Sequence, residues 1–283
     1  MAGCWMTAAV IGPLAGGVAF EKFGAAWTFV GVGVFYGIAW IAVTRMAPRP
    51  TPAAPANESI WTSVATGVRY VAGNRVMLGS MALDLFAVLF GGAIALLPVF
   101  AHDILGVGKI GLGVLNAAPT TGALLSMLWC SRHPPVRHAG RNLFWAVGGF
   151  GVSMIVFAVS RSFALSVLAL VFSGVFDGVS VVIRRGILRL LSPNHLRGRI
   201  ASVSMIFIGS SNELGAFESG IAAALLGTAR SVWLGGLVTL VVVAVAAVLT
   251  PELRRLSLDP SRVMRRDIEV DEAIDAEADG ASQ

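Results

Sequence analysis

The stretch that decides the fold begins with Arg184-Arg185-Gly186-Ile187-Leu188-Arg189 and continues with Ser192-Pro193-Asn194-His195-Leu196-Arg197-Gly198-Arg199. An apolar run from Ile200 to Leu226 follows at once, interrupted by Asn212, Glu213 and Glu218. Five arginines therefore stand at one end of a helix that carries two carboxylates at bilayer depth. A carboxylate at the centre of a lipid-embedded helix costs roughly 2.5–3.5 kcal/mol, so such groups face a protein interior or a wet cavity.

The composition is that of an integral membrane protein. Of the 283 residues, 56% are hydrophobic and 13% are charged, and the mean hydropathy is +0.79. Soluble domains carry about 25% charged residues. The net charge of +5 does not indicate nucleic-acid binding, because the basic residues are spread among short loops between apolar runs. Cys4 and Cys130 have no metal or redox spacing and are interpreted as small buried residues.

Eight apolar runs are long enough to cross a hydrocarbon core of ~30 Å, which takes about 20 helical residues. They predict an all-α membrane protein with about eight transmembrane helices, since the runs are continuous and far longer than strands. The first run lacks a charged n-region and a cleavage site, so it is not interpreted as a signal peptide. The runs cover roughly residues 3–20, 26–46, 77–101, 109–131, 142–160, 163–183, 200–226 and 231–250.

The basic residues predict the orientation of these spans. All but four of the 21 lysines and arginines fall on one predicted side of the membrane. The four exceptions are Lys22, Lys109, Arg161 and Arg230. By the positive-inside rule the arginine-rich side is cytoplasmic, and an even number of spans places both termini there.

Two segments differ from the apolar runs. Residues 47–58 are rich in proline and predict a semi-rigid linker, and residues 59–74 predict an amphipathic helix with Ser59 as its N-cap. This helix is expected either on the cytoplasmic membrane surface or as a plain connector. Residues 267–283 contain seven acids and no basic residue, which predicts a disordered tail that is solubilising or makes a regulatory contact.

The first run contains Ile11-Gly12-Pro13-Leu14-Ala15-Gly16-Gly17. Proline kinks the helix, and Gly12 and Gly16 place small residues on one face, so the sequence predicts close helix packing at a bend. The same residues, Gly12, Pro13, Gly16 and Gly17, resemble the Gly-Pro-x-x-Gly-Gly antiporter motif in the fifth helix of major facilitator superfamily exporters.

The resemblance extends along residues 3–255. Residues Ala82-Leu83-Asp84-Leu85-Phe86-Ala87-Val88-Leu89-Phe90-Gly91-Gly92 resemble the seventh helix of that superfamily, and Asn116-Ala117-Ala118-Pro119-Thr120-Thr121-Gly122-Ala123 the eighth. Leu196-Arg197-Gly198-Arg199-Ile200 resembles the loop before the eleventh helix in the branch that contains the enterobactin exporter. Asn212-Glu213-Leu214-Gly215-Ala216-Phe217-Glu218-Ser219-Gly220 is similar to the eleventh helix of a related permease group.

The resemblance implies a division of the chain. Residues 1–46 correspond to the last two helices of an N-terminal half, 47–75 to the linker with its amphipathic helix, and 76–255 to the six-helix C-terminal half. Residues 256–283 form the charged tail. The superfamily has twelve helices with a substrate site between the halves. The first four helices and their Gly/Asp/Arg-rich loop are absent here, so we expect either an N-terminally truncated form or a start of translation assigned too far downstream.

Four acids lie inside the predicted spans: Asp84, Asp177, Glu213 and Glu218. Uncompensated, they would cost on the order of 10–14 kcal/mol together, so we expect them to face the bundle interior or water. Glu213 and Glu218 lie about 140° apart around a helix and cannot both face one cavity squarely. Asp84 and Asp177 lie in the cytoplasmic halves of their spans, where Arg184 or Arg185 could pair with them.

These acids and two asparagines are the candidates for proton coupling or substrate contact. Interhelical hydrogen bonds are the alternative role for every one of them. Four arginines are expected at a cytoplasmic gate, with topology alone as the alternative role. The coupling or substrate candidates are Asp84, Asp177, Glu213, Glu218, Asn116 and Asn212, and the gate candidates are Arg184, Arg185, Arg197 and Arg199.

No enzyme, metal or nucleotide signature accompanies these residues. The four histidines are scattered in loops, and there is no nucleophile elbow or phosphate-binding loop. We therefore expect no cofactor and no enzymatic activity. The resemblance implies proton-coupled efflux of small amphipathic molecules, such as drugs or siderophores, across the bacterial inner membrane. A transport-incompetent remnant or partner subunit is the alternative.

Overall fold

The computed structural model describes residues 2–46, 60–91, 93–193 and 196–258, and these contain helices and turns but no strand. The linker 47–58, the expected cap at Ser59 and the acidic tail 267–283 lie outside the described residues, so their predictions stay predictions. The helical architecture predicted from the apolar runs is confirmed.

Among the described residues, seven helical segments are long and apolar enough to cross a membrane. One of them, Arg75–Ile104, includes a 3-10 turn (Ile94–Leu96) and a π-helical turn (Phe100–Ile104). The helices are α1 Ala2–Thr44, α2 Ile60–Gly73, α3 Arg75–Gly91, α4 Leu97–Val99, α5 Lys109–Arg132, α6 Ala139–Val159, α7 Phe163–Leu191, α8 Arg197–Leu226, α9 Thr228–Leu249 and α10 Pro251–Arg254.

The count is seven and not eight because the first two predicted spans are joined in α1. The helical conformation breaks at Gly24, whose φ of 74° and ψ of 176° lie in a region that glycine adopts readily. The predicted runs 3–20 and 26–46 lie on either side of this break. The apolar part of α1 has 37 residues, or about 56 Å of helix, nearly twice the ~30 Å core. One straight span cannot accommodate it.

The remaining long helices form one bundle. Neighbouring helices pack in the order α5, α7, α6, α9, α3, α8, and α1 attaches to α5. One apolar cluster, including Met77, Leu143 and Ile187, fills the end where α5 stops and α6 starts. A second cluster, including Phe100, Phe157 and Leu170, fills the opposite end.

The contact between α5 and α7 is a backbone contact made possible by glycine. A methyl group on Gly174 would collide with the carbonyl of Pro119, and one on Gly122 would collide with the carbonyl of Val171. In a membrane, where lipid is as apolar as leucine, such close approach supplies the van der Waals contact that holds helices together. The spacing between these two helices therefore depends on glycine at both positions.

The predicted amphipathic helix is present as α2 and packs against the bundle. Gly67 lies against Val203 and the carbonyl of Arg199, while Val71 is buried. The hydroxyl of Tyr70 donates a hydrogen bond of 2.8 Å to the carbonyl of Leu191 at the end of α7. These contacts fix α2 beside the ends of α7 and α8, as a connector would be fixed.

Replacing Gly174 by alanine is predicted to lower the stability of the bundle by about 1–3 kcal/mol, because the new methyl group meets backbone and has no room to rotate away. Gly209→Ala in α8 is the matched control, since a Cβ there meets no heavy atom within 4 Å. Thermal unfolding of both variants in the same detergent measures the difference. Equal midpoints would contradict the contact.

Candidate functional site

Three charged side chains from two helices meet inside the bundle. Arg184 of α7 forms an ion pair with Asp84 of α3, and its second terminal nitrogen lies 3.7 Å from a carboxylate oxygen of Asp177. Arg184 and Asp84 are buried, whereas the side chain of Asp177 keeps 45% of its surface accessible. We call Asp84, Arg184 and Asp177 the charge triad. The sequence-based expectation that Asp84 and Asp177 pair with Arg184 is met in this geometry.

The residues that α7 contributes to the site are spaced so that they lie on one face of the helix. Asp177, Ser180 and Arg184 stand at positions i, i+3 and i+7, which share one side of a helix. The Nε of Arg184 donates a hydrogen bond of 3.2 Å to the hydroxyl of Ser180. That bond orients the guanidinium, so that its two terminal nitrogens reach toward the two carboxylates.

The charge triad holds more negative than positive charge. When both carboxylates are ionised, the set carries one uncompensated negative charge, and uptake of one proton balances it. Charges taken out of water are tolerated only when they are paired and hydrogen-bonded. The arrangement is therefore suited to hold and release a single proton.

The space beside the charge triad is too small for an organic substrate. A cavity of about 10 Å³ lies between α3, α6 and α7 and is lined by Asp84, Asp177, Ser180 and Phe150 among others. A space of this size is at the lower limit for one water molecule. It suits proton movement, whereas a drug-sized ligand requires about 300–1,000 Å³.

The acids of α8 are not brought to this site. Glu213 and Asn212 lie on the exposed face of α8, and Glu218 is half-buried further along the helix. Glu213 makes no ion pair with a described residue. Glu213 is thus exposed on the part of the chain that the structure describes, and its expected position facing the bundle interior or water stays a prediction. Buried Ser211 and Gly215 occupy the face that packs on α3.

The remaining polar candidates lie apart from the charge triad. Asn116 donates a hydrogen bond of 2.9 Å to the carbonyl of Leu112, one turn earlier in α5. Arg185 is exposed, and Arg197 donates a hydrogen bond of 3.2 Å to the carbonyl of Arg189. Arg199 is half-buried beside α2. Of the four gate candidates, Arg184 is the one that the structure places beside Asp84 and Asp177.

The antiporter-like motif packs differently from the expectation. A Cβ at Gly12 or Gly16 would meet no heavy atom within 4 Å, so these glycines do not make the close contact. Pro13 and Gly17 make the close contact with α5 instead. A Cβ on Gly17 would lie 2.9 Å from the carbonyl oxygen of Lys109, and a Cβ on Gly113 would lie 2.6 Å from the carbonyl oxygen of Pro13. Pro13 and Gly17 stand four residues apart, so they share one face of the helix, and this face meets α5.

Sequence reasoning missed Ser180, which lies on the same α7 face as Asp177 and Arg184. Ser180 is three residues after Asp177 and four before Arg184, and this spacing could have indicated that it lies between them on the helix surface. Among the described residues there is no cluster of three or more metal-ligating side chains.

Replacing Arg184 by glutamine is predicted to destabilise the protein by about 3–5 kcal/mol, since two crowded carboxylates lose their partner. Arg185→Gln, its exposed neighbour, should change stability by less than about 0.5 kcal/mol. Adding Asp84→Asn and Asp177→Asn to Arg184→Gln should recover most of the loss. Unfolding in detergent measures all three, and equal effects at 184 and 185 would contradict the pairing.

Comparison with known proteins agrees with this architecture. A family profile described as transmembrane secretion effector matches residues 4–280, nearly the whole chain. No curated protein matches the chain. The helical bundle, its seven apolar membrane-length helices and the profile match lead to one assignment. The chain belongs to the transmembrane secretion effector family, a family of membrane transporters of the major facilitator type.

Proposed function

We propose that the chain works in proton-coupled efflux and that the charge triad is its proton-carrying group. The observation that supports the proposal is the unequal sharing of Arg184, which pairs closely with Asp84 and only loosely with Asp177. Asp177 is thus the surplus carboxylate, and its accessible side chain gives a proton a route to it. Of the acids considered from the sequence, Asp177 becomes the first candidate for protonation and Asp84 the structural anchor.

Coupling requires that the proton favour one of two conformations. With Asp177 ionised, Arg184 is attracted by two carboxylates, one on α3 and one on its own helix. When Asp177 is protonated, its attraction for Arg184 falls, and Arg184 pairs with Asp84 alone. This pairing strengthens the contact between α3 and α7. A ligand shifts a conformational equilibrium only by its differential affinity for the two states, and this change of pairing supplies such a difference.

We propose that the substrate is a small amphipathic molecule, such as a drug or a siderophore, as in the exporter branch that the sequence resembles. It cannot occupy the small cavity beside the charge triad, so its site must lie elsewhere. In transporters of this type the substrate site lies near the bilayer midplane between the repeats. Proton site and substrate site are then separate, and the helices α3 and α7 connect them.

The proposed location is the bacterial inner membrane, with the arginine-rich loops in the cytoplasm. Both termini are cytoplasmic in this arrangement, because Gly24 separates two spans within α1. Lys22 and Arg161 then lie outside, while the loop between α5 and α6 lies inside.

The transport prediction concerns neutralisation of one carboxylate. In proteoliposomes with an imposed pH gradient, Asp177→Asn should abolish proton-driven movement of ethidium or of an iron-free catecholate siderophore, because no surplus carboxylate remains to take a proton. The variant should stay folded, since the pair of Asp84 and Arg184 is neutral. Glu213→Gln is the matched control and should retain coupled transport. Internal pyranine fluorescence reports the accompanying proton flux.

Two results would decide against the proposal. Unchanged proton-driven transport in Asp177→Asn would remove the charge triad from coupling. A folded wild-type chain that moves neither probe nor proton would instead favour the partner-subunit alternative.

A topology prediction tests the orientation separately. In a background without Cys4 and Cys130, Lys22→Cys and Arg161→Cys should react with an impermeant maleimide from the outside of intact cells. Arg137→Cys should react only in inverted vesicles. Labelling of Lys22→Cys on the same side as Arg137→Cys would show that α1 does not form two spans.

A further inference from the structure

A second and larger cavity lies on the outer surface of the bundle, between α5 and α6 and over α7. Its volume is about 540 Å³, within the range of small-molecule sites. The lining is almost entirely apolar, with Leu125, Trp129, Trp145 and Phe176 among its walls and Asn142 at one end. We call this cavity the tryptophan groove. The charge triad lies elsewhere, between α3 and α7.

The two tryptophans of the groove are exposed and stand toward the ends of their helices. Trp129 stands three residues before the end of α5, and Trp145 stands six residues after the start of α6. Their exposed fractions are 58% and 75%. Trp129 also stacks on His133 in the loop, with ring centroids 5.3 Å apart. Exposed tryptophan at a helix end is typical of the boundary between acyl chains and headgroups.

The loop between α5 and α6 and the helix ends that flank it carry three arginines. Arg132, Arg137 and Arg141 are exposed and make no ion pair with a described residue. Residues 104–176 contain no aspartate or glutamate. Arg141 directly precedes Asn142, and Arg132 lies one turn beyond Trp129, so both are next to residues that line the groove.

The backbone of this loop is held from behind by the segment after α9. The amide of Gly140 donates a hydrogen bond of 3.1 Å to the carbonyl of Leu256, and the amide of Leu258 donates one of 2.8 Å to the carbonyl of Val136. The described part of the segment after α9, residues 250–258, contains one acid, Glu252. Its carboxylate oxygen lies 3.9 Å from a guanidinium nitrogen of Arg75 and not within ion-pair distance of the arginines of the loop. The backbone of the loop is therefore held in place, while its arginines are exposed.

We propose that the tryptophan groove binds an anionic phospholipid, with an acyl chain in the apolar groove and the phosphate on the arginine loop. An acyl chain matches the apolar lining, and an anionic headgroup matches the three exposed arginines, which pair with no acid among the described residues. The same arginines would repel a cationic amphipathic substrate. The site is independent of the proposed transport and needs no proton coupling.

The test uses the purified full chain in detergent and compares phosphatidylglycerol with phosphatidylcholine of the same brominated acyl chains. Quenching of tryptophan fluorescence by the bromine atoms reports insertion of the acyl chain. Native mass spectrometry counts the bound lipid molecules. Phosphatidylglycerol should bind at least tenfold tighter. The double variant Arg132→Gln with Arg141→Gln should lose that preference. The matched control, Arg161→Gln with Arg230→Gln, removes the same charge at the other end and should keep it.

Filling the groove tests the acyl-chain seat independently of charge. Leu125→Phe adds bulk to the wall without adding a tryptophan or touching the buried core, and it should weaken quenching by both lipids several-fold. Equal loss in the two double variants would reduce the effect to net charge and overturn the proposal. Equal binding of both lipids would also overturn it, since the headgroup would then carry no recognition. Binding seen only after removal of residues 267–283 would identify the acidic tail as the occupant and overturn it too.

Discussion

The guanidinium of Arg184 is the group on which the charged interior of this bundle depends. It is buried, and it is the only cation within ion-pair distance of either Asp84 or Asp177 among the described residues. Ser180, on the same helix, accepts a hydrogen bond from the guanidinium. The position of the guanidinium is therefore fixed within α7, while its charge pairs with Asp84 of α3. An interior with one such cation and two carboxylates is balanced only when a proton is present.

The architecture was readable from the sequence because membrane spans are governed by length and hydropathy, which need no knowledge of tertiary contacts. The boundary between the first two runs was readable too, because Glu21 and Lys22 interrupt the apolar sequence just before Gly24. The sequence did not show that the two helices would follow each other without a loop, since a single glycine with positive φ makes the break between them.

The site was predictable in part. The position of Asp84 and Asp177 in the same half of their spans as Arg184 pointed to pairing, because a buried carboxylate requires a partner. Rotation around a helix axis was harder to predict. Gly12 and Gly16 are as small as Gly17, and Glu213 is as polar as Asp84. Which face meets a neighbour is decided by packing against α5 and α3, and packing is invisible in one helix alone.

The two cavities divide the bundle by chemistry. The small one lies between three helices, has two carboxylates in its lining, and is at the lower size limit for one water molecule. The large one is external, and its lining is almost entirely apolar. Both are bordered by α7: Asp177 and Ser180 line the first, and Phe176 and Val179 line the second. A change in the pairing of Arg184 that moved α7 would therefore alter both cavities, since one rigid helix forms a wall of each.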